Sequence, residues 1–436
     1  MPSTDSSSFS DDNHKYSSDN GHLERLLQSA RPFLREELET VDANLPRLIS
    51  VLRAAGAGEC WHKHGSFLQH LIGVYRILKL WGAPDSVCLC GLFHSAYSNS
   101  YVNLAIFPPS SVGRDTVRGH VGDAAERLIH LFCIVPRQEL IHDFLLFKYS
   151  DSELAEHLRL SEISVKKIER GEEVAGEECW RVKLQSLLPA RGVNVKHIKT
   201  GEDLLVSRRV VAVFLLMTIA DFSEQLFSFQ DTLFENSDGR LEFSGSNTVL
   251  SLWPADGKPG LWMNSTSRMA AIYTLIVREE EMIKQMSGSK HGSTPSFPRD
   301  EDLELVIPPV FEGCTRILDA REQIVARDLY WEAICGDGKM ELEKVEELLL
   351  GCVEKNPFVG EAHIVLGQVY LGMKRFEEAE AAAERGLRLI VEWGSPWDKR
   401  MSWQGWIAWG RVLLMKAKEK AWPENPFGIL NLGLVM

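Results

Sequence analysis

No dense run of lysine or arginine occurs anywhere in the chain, and Asp and Glu outnumber Lys and Arg by 61 to 48, a formal charge of −13. That balance argues against a nucleic-acid partner, which needs a basic footprint. It also disfavours an anionic membrane surface. Long apolar runs are missing too. The longest strongly apolar stretch, VVAVFLLMTIA from Val210 to Ala220, falls well short of the ~20 residues that span a bilayer. Residues 1–21, MPSTDSSSFSDDNHKYSSDNG, hold no apolar core, no arginine and four aspartates. They read as a disordered tail and fit neither a secretory signal nor an organelle transit peptide. None of the eight cysteines forms a CxxC pair, and several lie in apolar helical runs. The pattern suits reduced thiols in a cytoplasmic or nuclear protein.

What is present is ordinary in amount: 44% hydrophobic and 25% charged residues over 436 positions, enough for about two or three domains with a sizeable core. The patterning is mainly helical. Leu23, Leu26, Leu27, Ala30, Leu34 and Leu38 share one face of a segment that Pro32 should kink. Ser66 is placed to cap FLQHLIGVYRILKLWG, so densely apolar that the helix should be buried on most sides. SVCLCGLFHSAY follows as a second buried helix, and amphipathic helices are expected over Val121–Phe132 and Gln138–Tyr149. Residues 160–206 look irregular, with VNVKHIKTGEDLLVS readable as a small β-hairpin turning at Thr200-Gly201.

Ser207 starts the long apolar helix RRVVAVFLLMTIADFSEQLFSF. A Gly-, Asn- and Ser-rich loop over 231–259 precedes another helix, STSRMAAIYTLIVREEEMIKQM, whose acidic run Glu279-Glu280-Glu281 reads as a solvated face. Arg208-Arg209 reads as a surface pair or a site for an anion or partner acid. Residues 287–302 have the composition of a linker.

Beyond it the chain is helical to about Pro423. In GEAHIVLGQVYLGMKRFEEAEAAAERGLRLI, the small Gly367 and Ala379 permit close helix approach while Leu366, Tyr370, Phe376 and Leu387 fill the seam. This stretch, with looser neighbours on each side, resembles a short tetratricopeptide-like unit. The tryptophans at 393, 397, 403, 406 and 409 fit packing between helix pairs better than a ligand groove, and the apolar tail NPFGILNLGLVM should dock against the rest of the chain, the repeats being one candidate surface.

Three polar residues sit where helical periodicity predicts burial: His70 in FLQHLIGVY, His94 in GLFHSAYSNS and Asp221 in LLMTIADFSEQLF. A buried carboxylate needs a cation or strong donors beside it. One metal ion shared with two neutral imidazoles satisfies all three groups.

The order of these elements resembles the HD superfamily of metal-dependent phosphohydrolases, over roughly His62 to Phe229. It looks closest to the hydrolase domain of the guanosine tetraphosphate enzymes, with Trp61-His62-Lys63-His64 before the first histidine and Ala220-Asp221 on the distant helix. The resemblance implies that His70, His94 and Asp221 are metal ligands, with His120 or His130 as an additional one. Ser95 departs from it, standing where that family has the aspartate of its motif, and no acidic residue follows closely. The basic loop around Lys63 is a solvated loop or a contact for a phosphate or acidic group.

The expected architecture is mainly α: a disordered tail (1–21), an HD-like helical domain with a small irregular or β insertion (22–286), a linker (287–302) and a tetratricopeptide-like helical-hairpin module (303–436). The two-part arrangement resembles an uncharacterised plant family described mainly by its repeat-like half. The expected function is a non-catalytic binding or scaffold protein, with a metal or small anionic ligand in the first part and a protein or peptide partner on the second. The alternative is a divergent metal-dependent enzyme, phosphohydrolase-like or non-haem-iron-oxygenase-like, using His70, His94 and Asp221 with Fe or Mn.

Overall fold

A computed structural model describes residues 20–62, 65–98, 105–172, 178–225, 264–288, 300–335, 340–425 and 428. The expected tail (residues 1–19), the loop at 231–259, most of the linker (289–299) and the end of the apolar C-terminus lie outside the described residues, as do Lys63 and His64. Within them the chain is mainly α-helical with small two-stranded β elements. No described helix is long and apolar enough to cross a membrane.

The first helix, α1 (Asn20–Leu34), ends two residues after Pro32. Helix α2 is Leu45–Ala54. A minimal antiparallel pair, β1 (Trp61–His62) and β2 (Gly65–Ser66), then leads into α3 (Phe67–Leu80). Ser66 caps α3 as its sequence demands: its hydroxyl accepts the Gln69 N–H, and the Gln69 side chain accepts the Ser66 N–H. Helix α4 (Asp85–Phe93) packs against α3 through Gly91, where a Cβ would lie 2.5 Å from Leu78 Cδ1. Helices α5 (Ser111–Val121) and α6 (Asp123–Ile134) follow.

The Gln138–Tyr149 segment is not the expected α-helix. A π turn (Glu139–Asp143) and a 3-10 turn (Leu146–Lys148) replace it, and the changed pitch buries Leu140, Ile141, Leu145 and Leu146 together. Residues 160–206 are less irregular than their charge suggested. They hold the end of α7 (Asp151–Glu169), whose start Ser150 and Glu153 cap, and α8 (Cys179–Leu187). The expected hairpin is present as β3 (Val193–Lys196) and β4 (Asp203–Val206), in antiparallel register Val193 to Val206.

Helix α9 (Arg208–Gln225) is buried along most of its length and packs on α10 (Asn264–Gly288), α3 and α4. The acidic run on α10 is not a solvated face. Glu279 accepts from Arg181 at 2.7 Å and from Gln185 at 2.7 Å, Glu280 pairs with Arg208 and Arg209, and Glu281 alone is exposed. Three arginines and a glutamine converge from α8 and the start of α9, and helical periodicity on α10 gives no hint of them. Arg208 and Arg209 accordingly meet a partner acid, as one of their two readings held.

The remaining helices among the described residues are α11 (Pro309–Cys314), α12 (Ala320–Ile334), α13 (Leu342–Lys355), α14 (Gly360–Gly372), α15 (Phe376–Trp393) and α16 (Trp403–Lys418). Short connections make successive helices neighbours. Small residues set their spacing: a Cβ on Gly367 would meet Ala379 O at 3.3 Å, and one on Gly386 would meet Gly360 O at 2.8 Å. Trp393, Trp397, Trp403 and Trp406 are buried core. One apolar core is continuous from Leu23 to Ala417, with α15 packed against both α1 and α3.

Candidate metal centre

The site lies where α3, the end of α4 and the last turns of α9 meet. Asp221 Oδ1 is 3.1 Å from His70 Nε2 and 3.9 Å from His94 Nε2, and the two Nε2 atoms are 3.4 Å apart. All three residues are buried. Ligands bonded at about 2.1 Å to one centre, at angles between square and tetrahedral, stand about 3.0–3.4 Å from each other. Two of the observed separations fall within that spacing and the third, His94 to Asp221 at 3.9 Å, is wider, and this buried group of three can hold a metal ion.

The outer nitrogens fit the same purpose. His70 Nδ1 is 2.5 Å from Glu224 Oε2, and His94 Nδ1 donates to Gly91 O at 2.8 Å. With Nδ1 engaged on each ring, Nε2 is the nitrogen facing inward; His70 offers a lone pair there once its Nε2 proton is lost to an incoming ion, the arrangement usual for metal-binding histidines. Glu224 reaches His70 because α3 carries glycine at the crossing: a Cβ on Gly73 would lie 2.7 Å from Glu224 Cγ.

Electrostatics follow from this enclosure. Burial alone would lower the His70 pKa, but the Glu224 and Asp221 carboxylates outweigh it and hold it up at about 9. Burial pushes His94 down to about 4 despite the Asp221 charge. Burial would raise Asp221, yet the hydrogen bond from His70 and the positive charge nearby bring it to about 2. Two buried carboxylates flanking one imidazole are thus balanced by a proton on His70, a role a divalent cation fills with more charge.

Further groups surround the trio. The His62 ring lies tilted against His70, centroids 4.4 Å apart, and its Nε2 is 2.9 Å from Gln225 Oε1. Gln225 in turn donates to Asp221 Oδ1 at 3.2 Å. Burial lowers His62 to about 4, so its ring is neutral. Arg137, 1% exposed, lies 3.5 Å over the Phe132 ring, and its charge bears on His94 and Asp221. Ser95 is fully buried beside His94.

The structure brings His70, His94 and Asp221 together and leaves His120 and His130 out of the group. His120 lies at the surface against Arg47, and the His130 ring packs edge-on to Tyr97 at 6.0 Å. Their position in the sequence carried no side-chain direction, and both point elsewhere. Glu224 and Gln225 went unnoticed in the sequence. The signal was available: they stand three and four residues after Asp221 on an otherwise apolar helix, and so share its face.

A family model described as "Domain of unknown function (DUF6817)" matches residues 51–137. The match contains His62, His70 and His94 but stops short of Asp221 and Glu224. No curated protein and no solved structure matches the chain.

Proposed function

We propose that this is a binding protein built around one divalent ion. A degenerate HD-like half holds the ion through His70, His94 and Asp221, and the tetratricopeptide-like half offers a helical surface to a protein or peptide partner. The observation that carries the reading is the convergence of the Asp221 carboxylate with two imidazoles whose outer nitrogens are already engaged. Two imidazoles and one carboxylate suit Fe(II) or Mn(II). Ser95, at the place of the family's aspartate, and the burial of all three ligands favour retention of an ion or small anion over turnover. Elemental analysis of protein purified without added metal tests it. About one equivalent of Fe or Mn is expected in the wild type, and none in His94→Ala or Asp221→Ala. Metal content that survives both substitutions overturns the assignment.

Catalysis is the second reading. Three protein ligands leave coordination positions open, and the neutral His62 and Gln225 stand beside them. The ion would act there as a Lewis acid or bind oxygen or water. Robust turnover of a small phosphorylated or polyhydroxylated substrate, lost in Asp221→Ala, would decide for it.

A further inference from the structure

Lys399 belongs to the connection between α15 and α16, far along the chain from the metal centre, yet its half-buried ammonium donates to Ser223 O at 2.8 Å and to Ser395 Oγ at 2.7 Å. Ser223 sits in the last turn of α9, between Asp221 and Glu224. That turn holds no basic residue of its own, so Lys399 supplies from another element the cation that a helix C-terminus favours. The same connection has a second tie on the other side of the centre. Arg76 of α3 donates Nε to Gly394 O at 3.0 Å, and its guanidinium lies 4.5 Å over the Trp403 ring. Arg76 and Lys399 both bear electrostatically on Glu224, the carboxylate that orients His70. Gly73 leaves Glu224 its slot between α3 and α9.

We infer that Lys399 is a positioning residue for the metal centre: by holding the last turn of α9, it links ion uptake to the seating of the 394–402 connection. The inference rests on the metal-binding reading above. Linkage is reciprocal, so an ion that gains affinity from the seated connection must also stabilise that seating. The helical-hairpin half is then part of the ion's surroundings and senses its presence.

Titration of the full-length protein with Co(II), followed by its visible d–d absorption, tests this together with hydrogen exchange. Lys399→Met should weaken Co(II) binding about 10-fold, the lower end for groups behind metal ligands. Lys399→Arg, which keeps the charge and donors, should recover most of it. In wild-type protein, Co(II) should slow amide exchange across 394–402. Equal Co(II) affinity in wild type and Lys399→Met, with both forms of the variant merely less stable, overturns the linkage and leaves the metal site intact. A wild type that takes no Co(II) overturns the metal reading itself. Should Lys399→Met fail to fold, the wild-type exchange experiment decides alone, since unchanged exchange at 394–402 on loading also refutes the linkage.

Discussion

Glu224 Oε2 lies 2.5 Å from His70 Nδ1, so a carboxylate three residues beyond Asp221 on α9 sets the orientation of the His70 ring. Glu224→Gln keeps the shape and removes the charge. Divalent-ion affinity should fall about 10- to 100-fold, the range found when such outer partners are changed. A competition titration against a chromogenic chelator measures it, and an unchanged affinity would show that Glu224 only fills space.

Gly73→Ala tests the same contact from α3. Alanine gains about 1 kcal/mol of helix propensity over glycine. Its Cβ, however, would sit 2.7 Å from Glu224 Cγ and 3.1 Å from Oε1, so Glu224, which holds His70, has to shift. The substitution should weaken ion binding much as Glu224→Gln does, and destabilise by about 1–3 kcal/mol as overpacked cores do. A gain in melting temperature with undiminished ion affinity would refute the close approach.

Stability should depend on pH through Glu361 of α14. Its Oε1 accepts the N–H groups of Trp397 (2.5 Å) and Asp398 (3.0 Å), but burial pushes its pKa up from 4.5 to about 7, with the Asp398 carboxylate adding to the rise. The folded state therefore binds this proton more tightly than the unfolded chain. Its contribution is fully present below about pH 4.5 and is lost as pH rises through about 7, a swing on the order of 3 kcal/mol. In Glu361→Gln the urea-unfolding free energy should lose that slope between pH 4.5 and 7. Parallel wild-type and variant curves across the window would contradict the assignment.

The ion pairs under α10 should matter far more than their sequence suggests. Glu279 is fully buried against Arg181 and Gln185, so Glu279→Gln strands a buried guanidinium and should cost about 3–5 kcal/mol. Glu281→Gln, at the exposed neighbour, should change stability by less than about 0.5 kcal/mol. Chemical denaturation of the two variants side by side distinguishes a buried network from a solvated face.

These cases mark where reading along the chain succeeds. The Ser66 cap, the β3–β4 hairpin around Thr200-Gly201 and the burial of α3, α4 and α9 were all legible, because each depends on residues within a few positions of one another. His70, His94 and Asp221 stood out as polar residues on buried faces for the same reason. His120 and His130 did not join them, since periodicity places a residue on a helix face without saying which element that face will meet. The acidic run misled in the same way: its partners arrive from 98, 72 and 71 residues earlier in the chain.

By itself, then, the order of residues determined which segments coil, where they start, and which polar groups must be buried with them. Only the tertiary structure decided that Glu224 faces His70, that Glu279 faces Arg181, and that Lys399 reaches back to Ser223. Local hydrogen bonding and periodicity are encoded within a turn or two. The pairing of buried charges depends on how separate helices cross, and that crossing is set by the packing of the whole core.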